Sequence, residues 1–358
     1  MPIRPYLIKL LALAVLVGLF GGCEKTKKTP SSPPPTAGST LLIANFSGGA
    51  GSLSLIDLST STVTRDVAGL GNVPNDILYW NNRFYVINSL SNDMNVLEIS
   101  DRNEVTSIDT IDLGRGANKS PQYGAVTSSG DFYISNFNDH TVTVFDPRTR
   151  QAVSYIPVGQ HPQDVLARED KVYVCNSNFN DSTYQYGAGS VSVISTTSNR
   201  VMYTLPVGLN PQFLALDGRN RLHVVCSGGQ DTTGTNHEGV IYVIDTFADT
   251  LAQVINIGGT PGDIAITSDN IAYLAAGGWS GDRYGKVFRY NALTGQILNG
   301  PSNPIQVSLG AMRIITGPGR NIYVACFEAD RVERILDGEK RDSWMVGDGP
   351  GAMAVIER

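Results

Sequence analysis

One short text is written seven times along this chain, and that repetition limits the fold more than any other property. Aligned on an apolar run, the copies open at Leu41, Arg83, Asp131, Lys171, Arg221, Ile271 and Asn321, reading LLIAN, RFYVIN, DFYISN, KVYVCN, RLHVVC, IAYLAA and NIYVAC. Successive starts lie 40–50 residues apart. The copy from Asp131 to Asp170 holds four such runs: FYIS, TVTVF, AVSYIPV and QDVLA. Each is rich in β-branched or aromatic residues and is bounded by Asn, Asp, Gly or Pro. Runs of that kind are strands, and four joined by tight turns make an antiparallel meander.

A period of 40–50 residues with four strands per unit predicts an all-β fold, a seven-bladed β-propeller of four-stranded antiparallel blades over residues 41–358. Within each unit we label the strands a to d from the channel outward, so that the aligned aromatic run is strand b. Strand c alternates with period two, as in GSLSLID, TVTVFD and GVIYVID. Asp57, Asp146, Asp245 and Asn291 close these runs where a side chain can cap the following turn. Strand d leads into a corner, IPVGQHP, LPVGLNP, INIGGTP or MVGDGP, in which Gly permits unusual backbone angles and Pro fixes φ. The sixth unit loses this corner in ILNGPSNPIQVSLGAM. The repeat starts on a strand b (Leu41 to Asn45) and ends on a strand a (Ala352 to Glu357), so the C-terminal strand is expected to complete the first blade.

KVYVCN, GSVSVIS and LPVGLNPQFLAL, with DFYISN, TVTVFD and IPVGQHP, resemble the YVTN-repeat family of seven-bladed propellers. The resemblance runs from Leu41 to the C-terminus. It implies a cell-envelope or extracellular propeller with a binding or scaffold role, and no shared catalytic residues.

Arg4 and Lys9 precede an apolar run from Leu10 to Phe20, which Gly21, Gly22 and Cys23 follow. A basic start, a short apolar core and small residues describe a secretory leader, residues 1–22. The ending Leu19-Phe20-Gly21-Gly22-Cys23 resembles the lipobox of bacterial lipoproteins, with Phe20 where Leu is usual. That resemblance implies cleavage before Cys23, a diacylglyceryl thioether on its sulfur, an acylated amine and a membrane anchor. Glu24 follows, not the Asp associated in some bacteria with inner-membrane retention, so an outer-membrane location in the cell envelope is expected. Residues 23–40, rich in Lys, Pro, Ser and Thr, read as a tether.

Removing Arg4 and Lys9 with the leader takes the formal charge from −6 to −8, and no basic stripe lies beyond the tether. Nucleic-acid binding is therefore not expected. Cys175, Cys226 and Cys326 recur at the end of strand b, where Cys serves as a small buried hydrophobe.

In an a–b–c–d meander the b–c loops and the corners share one rim. The b–c loops of units four to six are long: NSNFNDSTYQYGAG, SGGQDTTGTNHEG and GGWSGDRYG. Their Phe179, Asp181, Tyr184, Tyr186, Asp231, His237, Trp279, Asp282, Arg283 and Tyr284 are candidates for a ligand-binding wall over the channel. A second candidate set opens strand a: Asp76, Gln122, Tyr123, Gln163, Asp164, Gln212, Phe213, Asp263 and Arg313, with His161 in a corner nearby. Turned inward, these would make a polar collar at the channel mouth. His223 replaces the repeat Tyr and reads as core. No two histidines share a metal-ligand spacing, no serine elbow or Cys–His pairing is visible, and neither a cofactor nor a metal is expected. The reading that fits best is a binding or interaction module for a protein, glycan or small molecule. A channel-mouth metal-dependent hydrolase or lyase, like the lactonases and streptogramin lyases that it resembles in architecture, and a structural surface-layer role are the alternatives.

Overall fold

A computed structural model describes residues 38–46, 48–114, 119–279 and 281–357, all within the unit Pro34–Arg358. The leader and Cys23 lie outside the described residues, as does nearly all of the tether. No helix among the described residues is long and apolar enough to cross a membrane.

Seven antiparallel blades form, each with its strand b within a residue of a repeat start. The regular unit is blade three: strand a Pro121–Val126, b Phe132–Asn136, c Thr141–Asp146 and d Gln151–Pro157, paired in the order d–c–b–a. The seven a strands contact one another in a closed cycle around the central channel. The outward gradient of burial follows from this. Strand b of blade three is buried at every residue, because blades press on both its faces. Strand d, at the outer edge, is mostly exposed.

Blade one is completed as expected. Thr40–Asn45 pairs on one side with Ala50–Asp57 and on the other with the C-terminal strand Pro350–Ile356. The two ends of the propeller thus share one sheet, and no blade is left with an open inner edge. The lost corner of unit six has a counterpart. The outer strand of that blade is split into Ile297–Asn299 and Ile305–Val307, both pairing Gly285–Asn291. Pro301 and Pro304 stand in the break, where neither can donate a ladder hydrogen bond.

Apolar clusters bridge neighbouring blades; Tyr85, Ile87 and Met94 of blade two pack with Phe132, Ile134 and Phe145 of blade three. The polar ends of the repeat aromatics add ties. Tyr133 Oη donates to Asn199 of blade four, and Tyr173 Oη to Asp249 Oδ1 of blade five at 2.8 Å. His223 takes the equivalent place in blade five, fully buried, with Nδ1 2.7 Å from Tyr290 Oη of blade six and Nε2 3.4 Å from Asp217 Oδ2. Cys175, Cys226 and Cys326 are free and buried. The capping residues act as read: Asp57 Oδ1 accepts the N–H groups of Ser59 and Thr60, and Asp245 Oδ1 those of Phe247 and Ala248.

Candidate functional site

Each corner ends in a proline that opens strand a, except in blades six and seven, and the ladder to strand b then slips. Register shifts fall between Pro74 and Asp76, Pro121 and Gly124, Pro162 and Val165, Pro211 and Phe213, and Ala311 and Arg313. An irregularity of this kind re-aims the residues that it contains. Around the ring Asp76, Tyr123, Asp164, Phe213, Asp263, Arg313 and Ala352 all line a channel cavity of about 190 Å³. Carboxylates from blades two, four and six alternate with rings from blades three and five. Arg313 and the small Ala352 complete the circle.

The three carboxylates share one geometry. Oδ1 of Asp76, Asp164 and Asp263 accepts the next N–H of its own strand, from Ile77, Val165 and Ile264. Oδ2 accepts an N–H of the following blade, from Gly124 at 3.0 Å, Leu214 at 2.8 Å and Ile314 at 3.0 Å. These aspartates staple blades together in pairs. Burial raises all three pKa values. For Asp76 and Asp263 the Arg313 charge is the largest opposing influence. Asp164 is pushed up to about 8 by burial, with the charges of Asp263 and Asp76 adding to the rise.

Arg313 crosses the channel. Its guanidinium lies 4.4 Å from the Tyr123 ring centre and 5.2 Å from that of Phe213, an attraction between cation and ring faces. Nε donates to the Gly351 carbonyl at 2.9 Å and Nη2 to the Asn75 carbonyl. Asp263 is 3.7 Å away. Burial disfavours the guanidinium charge, but Tyr123 and the three carboxylates outweigh it and raise its pKa. The side chain therefore ties blade seven to blades one and two, where the chain ends meet, and stoppers the channel.

Above that stopper, on the corner side, lies a second cavity of about 280 Å³ that shares Tyr123 and Phe213 as its floor. Gln212, Ser227, Thr260, Met312 and Trp279 form its sides. Of the ten loop candidates, Trp279 alone lines it. The others sit elsewhere on the rim. Phe179 and Tyr186 stack at 5.1 Å within a small hairpin, and Tyr184 packs on Phe179 while staying 77% exposed. Asp181 bonds His161. Asp231 organises its own loop, accepting from Thr233 and Thr235 and pairing with His237 at 2.8 Å. A bridge between Tyr186 and Asp231 joins the two loops. Asp282 turns to Lys286, Arg283 is exposed and Tyr284 is half-buried.

The collar set also divides. Gln122 is tied into the rim by Asn75, Ser89 and Ser120, and Gln163 is half-buried there. His161 lines neither cavity. It is buried, and its ring sits among Phe137, His140 and Phe179, with Nε2 3.1 Å from Asp181. Burial lowers its pKa and Asp181 opposes that. His140 and His161, 21 positions apart, thus meet at 4.7 Å between ring centres, a pairing that local spacing gave no sign of. Among the described residues no group of three His, Cys, Asp or Glu side chains is placed to hold a metal ion. The alternation of Asp with Tyr or Phe at the third position of strand a was visible in the repeat. The parts played by Ser227, Thr260 and Met312 were not, because each owes its place to a neighbouring blade.

No protein-family model matches the chain. No curated protein matches it either. Solved structures do. A candidate 6-phosphogluconolactonase from Bacteroides uniformis aligns with a TM-score of 0.67 and 12% identity over 89% of this chain and 100% of that one. Hydrazine synthase of Kuenenia stuttgartiensis aligns at 0.61, with 15% identity over 78% and 88%. Apo AztD of Citrobacter koseri aligns at 0.56, with 12% identity over 89% and 98%. At these identities the likeness extends to the fold alone: the chain is a seven-bladed β-propeller. The named chemistries differ, as expected of a scaffold that carries unrelated sites.

Proposed function

We propose that this protein is an envelope-anchored binding module of the YVTN-repeat type, held by a lipidated Cys23, and that its ligand sits in the corner-side cavity above Arg313. One observation carries this reading. The cavity is walled by a half-exposed indole, Trp279, floored by Tyr123 and Phe213, and closed below by a fixed cation. Such concave sites, largely apolar with a few polar groups, are where proteins hold small ligands. A rigid scaffold displays this one at the end of a tether.

The channel chemistry suits catalysis less well. Both oxygens of each collar aspartate already accept backbone N–H groups, so these carboxylates are engaged in the fold. The described residues do not fit the metal that a lactonase-like reaction would require.

The test is a thermal-shift screen of residues 41–358 against a broad set of metabolites, repeated on Trp279→Ala. Stabilisation by some compound that the variant loses supports the reading. Compounds that stabilise both proteins equally would place binding elsewhere. The anchor is tested separately: the mature protein should begin at an acylated Cys23 by mass spectrometry and leave the membrane fraction in Cys23→Ala.

A further inference from the structure

We propose that the ligand of this cavity is a neutral saccharide, an inference that rests on the binding reading above and adds its chemical class. The first ground is charge. No Asp, Glu, Lys, Arg or His lines the corner-side cavity among the described residues. The charges beneath the floor are already engaged. Arg313 donates to the carbonyls of Gly351 and Asn75, and the collar carboxylates accept backbone N–H groups. An anion entering the cavity would shed hydration and meet no free donor cation. A cation would approach Arg313 from the far side of the same two rings. Both pay desolvation without a partner, so an uncharged ligand is favoured.

The second ground is the distribution of surface. Trp279 is 45% exposed yet held in place: its ring meets Phe327 at 6.4 Å, and Phe327 meets Phe46 at 5.2 Å. A fixed, open aromatic face attracts the weakly positive C–H face of a pyranose ring. Around it stand polar groups with capacity to spare. Ser227 Oγ and Thr260 Oγ1 make no hydrogen bond among the described residues, and the Gln212 amide uses its nitrogen on Asn210, leaving Oε1 open. A flat apolar face ringed by donors and acceptors is the complement of a sugar. The volume, about 280 Å³, lies just below the roughly 300–1,000 Å³ usual for small-ligand sites, which suits one or two residues of a chain whose remainder leaves by the open rim.

The experiment is calorimetric titration of residues 41–358 with neutral mono- and disaccharides (glucose, galactose, N-acetylglucosamine and their β-1,4 dimers), with choline and inorganic phosphate as charged probes. At least one saccharide is expected to bind while the charged probes do not. Trp279→Ala should weaken it about tenfold or more, the equivalent of one aromatic face. Trp279→Phe should recover part of the affinity, Ser227→Ala should weaken binding, and Phe247→Ala, at a fully exposed position of blade five, should leave it unchanged. Trp279-dependent binding of choline or phosphate without saccharide binding overturns the saccharide and leaves the binding cavity standing. Saccharide binding that ignores Trp279 and Ser227 overturns the placement. Silence from every probe overturns the saccharide, while the broader metabolite screen decides the cavity itself.

Discussion

Asp164 Oδ2 accepts the N–H of Leu214, fifty positions along the chain and one blade away, at 2.8 Å. The bond crosses from strand a of blade four to strand a of blade five, and Asp76 and Asp263 repeat it at blades two and six. Removing the acceptor strands a backbone donor beside the channel. Asp164→Ala should therefore lower unfolding stability by about 1–3 kcal/mol, read from the urea midpoint at constant slope.

The same carboxyl gives a pH signature. Burial pushes it up to about 8, against about 3.9 for an unperturbed Asp. Between those values the folded protein keeps a proton that the unfolded chain has released. The stability linked to this proton is complete below the lower value and lost as pH rises through the upper. Asp164→Asn should flatten the fall in melting temperature between about pH 5 and pH 8 relative to wild type. An unchanged slope would show that the group does not titrate there.

Arg313→Ala should be among the most damaging single changes. It would leave three buried carboxyl groups without their counter-charge and release blades one, two and seven where the ring closes. Loss of one partner of a buried charge network costs about 3–5 kcal/mol, and Lys cannot restore the forked contacts. Denaturant unfolding of the Ala and Lys variants measures both.

Asp181→Ala should behave in the opposite way. Asp181 is exposed and pins the Phe179–Asn180/Gln185–Tyr186 hairpin to buried His161. Global stability should change by no more than about 0.5 kcal/mol, as for most surface sites. Amide exchange across residues 177–187 should nevertheless rise, because the loop loses its tie to the corner.

Ending the chain at Gly349 removes strand a of blade one and opens the ring beside Thr40–Asn45. That strand exposes Leu42 and Ala44, fully buried in the intact protein. The truncated protein should lose its near-ultraviolet circular dichroism and aggregate on gel filtration.

The seven copies, their strand order, the capping Asp57 and Asp245, the C-terminal strand closing blade one and the disturbed corner of unit six were all legible in the sequence. Each depends on residues close together in one unit, or on a phrase repeated at the same place in every unit, and periodicity reports such relations directly. The collar was legible in outline, since Asp76, Asp164 and Asp263 recur at one repeat position. What each residue touches was decided only by the ring. Curling seven meanders into a circle sets Leu214 beside Asp164 and brings Arg313 between the rings of Tyr123 and Phe213. It also takes nine of the ten loop candidates out of the cavity and leaves Trp279 there with Ser227 and Thr260. A strand's own pattern states which face it buries; what meets that face is fixed by neighbouring blades, 40 or more residues away.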